Sequence, residues 1–275
     1  MSDPLPSAAP GDLCLVDAHV HLYPGADPGE MLSAAARNMG RAARARGLPR
    51  RPPGILMLTE NAGLDRFAGL AGAAGGWTVA PTAEPVSLLA ESGDGEAPLA
   101  IVSGRQIVTA ENIEVHALGT RAVFADGAPA ATVLGEVQRA GALAVLPWGF
   151  GKWSGARGEV LRGLIARQGE WPGMMLADSG VRPALLPRPA LLAEAESQGL
   201  RVLAGSDPLP LAAEAGKPGR YGFLARCPLD PDRPFARLAA WLRARPASPE
   251  TFGTLERAFP FLHRQAAMQL RKRLG

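Results

Sequence analysis

At 275 residues, with 47% hydrophobic and 20% charged side chains, the chain is long enough to bury a large core and has none of the bias of a disordered or fibrous polypeptide. Two cysteines, Cys14 and Cys227, exclude a disulfide framework and a thiolate zinc cluster and fit a reducing, cytoplasmic setting. The net charge is only +3, and acidic residues are interspersed among the basic ones, so no specific nucleic-acid partner is expected.

Residues 1–12 read as an N-terminal tail without a basic segment followed by an apolar stretch, and no later run of eighteen apolar residues occurs, so no membrane association is expected. The run Leu13 to His21 (LCLVDAHVH) predicts a buried first strand. Asp27 and Glu30 have capping-box spacing around Pro28 and open a helix to Gly47, with Arg37, Arg41 and Arg44 on its solvent side. Gly54 to Thr59 reads as a strand and Leu64 to Ala71 as a helix; Trp77 to Pro85, Pro98 to Val108 and Asn112 to Leu118 read as strands. Helix and strand then alternate: Pro129 to Ala140, Ala142 to Leu146, Val160 to Gln168, Met174 to Ala177, Pro189 to Gln198 and Leu200 to Ala204. Residues 228–275 read as a helical extension, with Trp241 and Leu242 in one segment and Phe261, Leu262, Met268 and Leu270 in another.

This alternation predicts parallel strands joined by crossover helices, hence an α/β fold: a distorted (β/α) TIM-like barrel over residues 13–275, with additional C-terminal helices. Closure is the preferred reading because the polar residues fall at strand exits: Asp17, His19 and His21 after the first strand, then Glu60, Asp178 and Asp207. Alternation along a strand aims residues two apart at one face, so His19 and His21 should converge, and closure would bring Asp207 to them. Two imidazoles and a carboxylate suit one divalent ion: zinc, manganese or iron.

Several segments together resemble the PHP family, the polymerase and histidinol-phosphatase fold of metal-dependent phosphoesterases. VDAHVHLYPG resembles its opening Asp-x-His-x-His element, ILMLTENAGL its second element, GRQIVTAENIEVHALG its third, GALAVLPWGF the segment ending in Ala-His-Pro, and VLAGSDPLPL its last metal element. Ligand positions are altered: Glu60 and Asn61 stand in place of an Asp-His pair, Gln106 near a bridging glutamate, and Leu146 and Leu209 in place of histidines, while His116 and Asp207 match. The resemblance implies a trinuclear cluster, but leucine has no donor atom and a neutral amide is a weak ligand, so one ion is expected. The same start and the Gly-Ser-Asp finish also resemble the amidohydrolase superfamily.

The expected chemistry is attack of metal-activated water on a phosphoester or related small anionic substrate, with His19, His21 and Asp207 as ligands and Asp207 or Glu60 handling the proton. Asp17 is expected to orient a metal-binding histidine, and His116 to support the site as a ligand or shuttle. The loop Pro147 to Gly155 offers Lys152 to an anionic group and Trp148 as a pocket wall, with Asp178 and Arg220 as further substrate contacts. A different reading is a non-catalytic ligand-binding protein, motivated by the replaced ligands at Asn61, Gln106, Leu146 and Leu209. Oligomeric state is not legible in the chain.

Overall fold

The computed structural model describes residues 12–257. Strands β1 (Cys14–Val20) and β2 (Gly54–Leu58) are buried along their whole length, as apolar runs covered on both faces must be. Between them lies α1 (Pro28–Arg44), which begins where Asp27 Oδ1 accepts from Gly29 N at 2.8 Å with proline in its first turn. A meander of β3 (Gly72–Ala74), β4 (Trp77–Pro81) and β5 (Ser87–Ser92) leads into β6 (Leu99–Val102). Then come the hairpin β7 (Gly104–Val108) and β8 (Glu114–Leu118), α2 (Ala130–Arg139), β9 (Leu143–Pro147), α3 (Gly155–Ala166) and β10 (Met175–Ser179). The described chain finishes with α4 (Ala190–Ser197), β11 (Val202–Gly205), β12 (Tyr221–Ala225), α5 (Pro234–Ala244) and β13 (Thr251–Gly253).

The expected barrel is corrected by the strand pairing. Among the described residues there are two mixed sheets, ordered β13-β12-β1-β2-β6-β5-β4-β3 and β11-β10-β9-β8-β7, and no closed barrel. Most of their ladders are antiparallel; β1–β2, β2–β6, β9–β10 and β10–β11 are the parallel ones. The reason is connection length: β4–β5 and β7–β8 are joined by short turns that cannot hold a crossover helix, and such turns reverse the chain. The expected long strand Pro98 to Val108 breaks at Ser103, whose hydroxyl donates to Thr120 O at 2.9 Å, and there the chain passes from one sheet to the other. The expected helix Leu64 to Ala71 shrinks to one 3-10 turn, Phe67–Gly69. In the C-terminal region α5 contains Trp241 and Leu242, but β13 follows it instead of more helix; the segment around Phe261 to Leu270 lies outside the described residues. No helix among the described residues is long and apolar enough to cross a membrane.

Residue parity divides the core. Val16, Ala18, Ile55 and Met57 of the first sheet meet Val145, Met175, Ala177 and Leu203 of the second, so the sheets face each other across one apolar layer that Phe235 and Leu238 of α5 help to close. Leu15, Leu56 and Leu58, of the opposite parity, and Val20 pack against Met31, Leu32 and Met39 of α1, while α2, α3 and α4 cover the outer face of the second sheet.

The end of β1 also lies beside β11, the edge strand of the second sheet. Gly205 makes this approach possible: a Cβ there would lie 2.4 Å from both Cβ and N of His19. Beyond the strand, Asp207 N donates to His19 O at 2.8 Å. At its other edge strand, β7, the second sheet is linked to the first by the bridge between Glu60 and Arg105.

Candidate metal centre

The seam between β1 and β11 assembles the candidate site. The register of β1 against β2 shifts between Asp17 and Val20. Ala18 lies in the layer between the sheets and Val20 in the α1 layer, so the alternation changes phase between them. Asp17 is therefore separated from the two histidines that follow it. His19 turns to an edge-on contact with His116 of β8, with ring centroids 4.3 Å apart, and lies 4.9 Å from the ring of His21.

His19 Nε2 and His21 Nε2 are 3.0 Å apart, and Asp207 Oδ1 lies 3.4 Å from the first and 3.7 Å from the second. Donor atoms held about 2.1 Å from a tetrahedral ion stand roughly 3.4 Å from one another, so the triangle has the size that one ion requires. These three residues form the candidate metal-binding group among the described residues. Asp207 is held in position from three sides. Its backbone is in the left-handed region (φ 52°), its N–H is bonded to His19 O, and its Oδ2 accepts from Ser179 Oγ at 2.7 Å. That leaves Oδ1 directed at the imidazoles.

Electrostatics favour metal-ready protonation states. Burial lowers the pKa of His19 against the pull of Asp207, lowers that of His21 to about 4 with help from His19, and holds His116 well below the usual value. Burial alone would raise Asp207, but the neighbouring imidazoles, the Ser179 hydroxyl and Lys152 together keep it below the usual carboxylate value. Two neutral imidazoles and a carboxylate with their donor atoms this close are best satisfied by a cation between them.

The same shifts fix a pH dependence of the metal-free protein. Unfolded histidines take up protons near pH 6.5 and the folded ones do not, so this contribution is complete above that pH and is lost as pH falls toward His21's value of about 4. Asp17, pushed up to about 6 by burial, acts in the opposite sense: its contribution is lost as pH rises through that value. Three imidazoles outweigh one carboxylate, so urea unfolding should show stability falling between pH 6 and 5 by roughly 1.4 kcal/mol per pH unit for each net proton taken up. His116→Gln should make that slope shallower, and a slope unchanged by the substitution would show that His116 does not contribute.

The other expected site residues have different surroundings. Asp17 does not touch an imidazole ring. Its carboxylate accepts from Ser206 N at 2.8 Å, Ser206 Oγ at 2.5 Å, Gly219 N at 2.7 Å and His19 N at 3.2 Å, tying β1 to the loop that carries Asp207. Glu60 is paired through Oε2 with Arg105 Nη1 at 2.7 Å, and its Oε1 accepts from Arg66 N and Phe67 N. His116 Nε2 lies 3.1 Å from Gln106 Oε1, and Gln106 Nε2 donates to Asn61 Oδ1 at 3.3 Å, so these side chains bond one another. Asp178 is locked by Arg182 at 2.8 Å on each oxygen and by Tyr221 Oη at 3.0 Å. Trp148 is buried. Arg220 directly precedes β12, with Nη1 3.8 Å from Glu256 Oε1. Lys152 reaches the candidate centre in company: it pairs with Glu114 of β8, and its charge acts on His19, His116 and Asp207. Sequence reasoning missed Ser179, Ser206, Gly219 and Glu114. The first two directly follow Asp178 and directly precede Asp207, and their hydroxyls bond Asp207 and Asp17 respectively.

No protein-family model and no curated protein matches the chain. Among solved structures, the crystal structure of PsfC from Pseudomonas syringae PB-5123 is similar, with a TM-score of 0.53 and 17% identity over 96% of this chain and 99% of that one. At this identity the likeness speaks for the fold alone.

Proposed function

We propose that the protein is a metal-dependent hydrolase that holds one divalent ion, zinc, manganese or iron, on His19 Nε2, His21 Nε2 and Asp207 Oδ1. The observation that carries this reading is the triangle of donor atoms at 3.0, 3.4 and 3.7 Å, assembled from two sheets and held by Ser179 and Asp17. The sequence elements that resemble metal-dependent hydrolases supply the same three residues, which supports it further. An ion bound there supplies Lewis acidity and lowers the pKa of a coordinated water.

The chain's own residues do the rest. Neutral His19 and His21 present lone pairs, and Asp207 presents a charge that Ser179 keeps aimed. Lys152 meets an anionic oxygen of a phosphoester or related substrate, exchanging its Glu114 partner for it. Glu114, whose charge reaches His21, then accepts a proton; Glu60 does not, because both its oxygens are engaged. Two free, buried cysteines fit a reducing compartment, and we assign the protein to the cytoplasm.

The test is direct. Chelator-stripped protein is reloaded separately with zinc, manganese or ferrous iron, its metal content is measured, and it is assayed on phosphoesters, carboxylic esters, lactones and amides. One ion per chain and hydrolysis that depends on it are expected. No retained ion rejects the reading; one retained ion without turnover favours a ligand-binding protein, the alternative that the Asn61–Gln106–His116 network supports.

A further inference from the structure

A cavity of about 580 Å³ opens beside the candidate centre, within the range of small-molecule sites, and His21 forms part of its wall. Its sides are the segment leaving β1 and the segment following Asp207, so the chain stretches that supply the metal donors also shape the cavity. Tyr23 stacks on the His21 ring with centroids 5.1 Å apart and planes inclined by 23°. Met31, Leu209 and Leu211 contribute apolar surface, and prolines at 208, 210 and 218 stiffen the far wall.

The charged groups in this wall are all carboxylates: Asp27, Glu30 and Glu214. Asp27 caps α1 and Glu214 is held by Lys217 at 2.9 Å, while Lys152 is absent from the wall. An anionic group entering here would leave water for apolar surface ringed by like charge.

We infer that this cavity receives an apolar, uncharged portion of the substrate, and that Tyr23, Met31, Leu209 and Leu211 select for it. The inference rests on the metal-centre reading for the position of the reacting group. The substrate is then amphipathic: a polar, scissile head lies at the donors beside Lys152, and a hydrocarbon or aromatic tail runs past His21.

Alkyl hydroxamates test the arrangement, since the head group ligates zinc and the tail is free to vary. Calorimetric titration of the zinc-loaded protein with hydroxamates of two to eight carbons should show affinity rising by about fourfold per buried methylene. A chain of the same length ending in a carboxylate should bind at least about tenfold more weakly than its methyl-terminated counterpart. Ala215→Trp, which fills the cavity from its rim, and Leu209→Glu should each flatten the dependence on chain length while zinc stoichiometry, the check on folding, is retained. A flat series with wild-type protein, or a preference for the carboxylated chain, overturns the inference. If none of zinc, manganese and ferrous iron binds, the metal reading fails and the cavity is judged on stripped protein by the ¹³C-methyl resonance of Met31, assigned with Met31→Leu, during titration with benzyl alcohol. A saturable shift supports the apolar site, and no shift overturns it.

Discussion

Replacing His19 with alanine is expected to eliminate the bound divalent ion and to lower metal-dependent hydrolysis by roughly 10³-fold, the worth of several kcal/mol of lost Lewis-acid stabilisation. His19 is the central donor: its Nε2 lies 3.0 Å from that of His21 and 3.4 Å from Asp207 Oδ1, so its removal leaves two donors that cannot enclose an ion. Ser179→Ala provides the graded comparison. It frees Asp207 Oδ2 without deleting a donor, and affinity should fall by about 10- to 100-fold, as for other groups that orient a ligand. Metal content and competition with a chromogenic chelator measure both. Full metal retention by His19→Ala, with native circular dichroism, would reject the assigned donor set.

Asp17→Ala should be the most destabilising single substitution near the site, by about 3–5 kcal/mol, because it strands buried donors after removing a charged acceptor. The carboxylate is fully buried and takes four hydrogen bonds, from Ser206 N, Ser206 Oγ, Gly219 N and His19 N. Without it the amides at 19, 206 and 219 lose their acceptor, and the turn presenting Asp207 is no longer tied to β1. Asp17→Asn should cost less, since one amide oxygen still accepts while its NH₂ group faces donors. Urea denaturation of the metal-free proteins measures the difference, and a loss below about 1 kcal/mol for the alanine variant would show that the network contributes little.

The strands and helices with strong periodicity were legible in the chain: β1, α1 with its Asp27 cap, β2, α2 and the β9–β11 region are near their expected places. What could not be read was their pairing. A strand buried on both faces has the same apolar appearance whether its neighbour is parallel or antiparallel, and the sequence contains no direct signal that the chain changes sheets at Ser103. The weak, Gly-bounded strands β3 and β13 were missed for lack of apolar pattern, and β12, only five residues long, was missed although Pro218 and Gly219 precede it and Pro228 follows it. The candidate triad of His19, His21 and Asp207 was legible because these residues sit near strand ends. Asp17 meets His19 through the backbone N–H and not through the ring, because a change of phase within β1 breaks the two-residue alternation. Glu60 and Asp178 have the same strand-exit position as Asp207, and only the partners Arg105 and Arg182 distinguish a structural carboxylate from one that faces the site.

The two cysteines lie within the layer between the sheets, where Cys14 Sγ donates to Cys227 O at 3.3 Å and burial pushes their pKa values up to about 12 and 11. At neutral pH neither offers an appreciable thiolate, so in the native protein neither competes for added zinc or reacts readily with an alkylating agent. Iodoacetamide labelling therefore becomes a clock for opening of the apolar interior, and metal measured in unlabelled protein can be credited to nitrogen and oxygen donors.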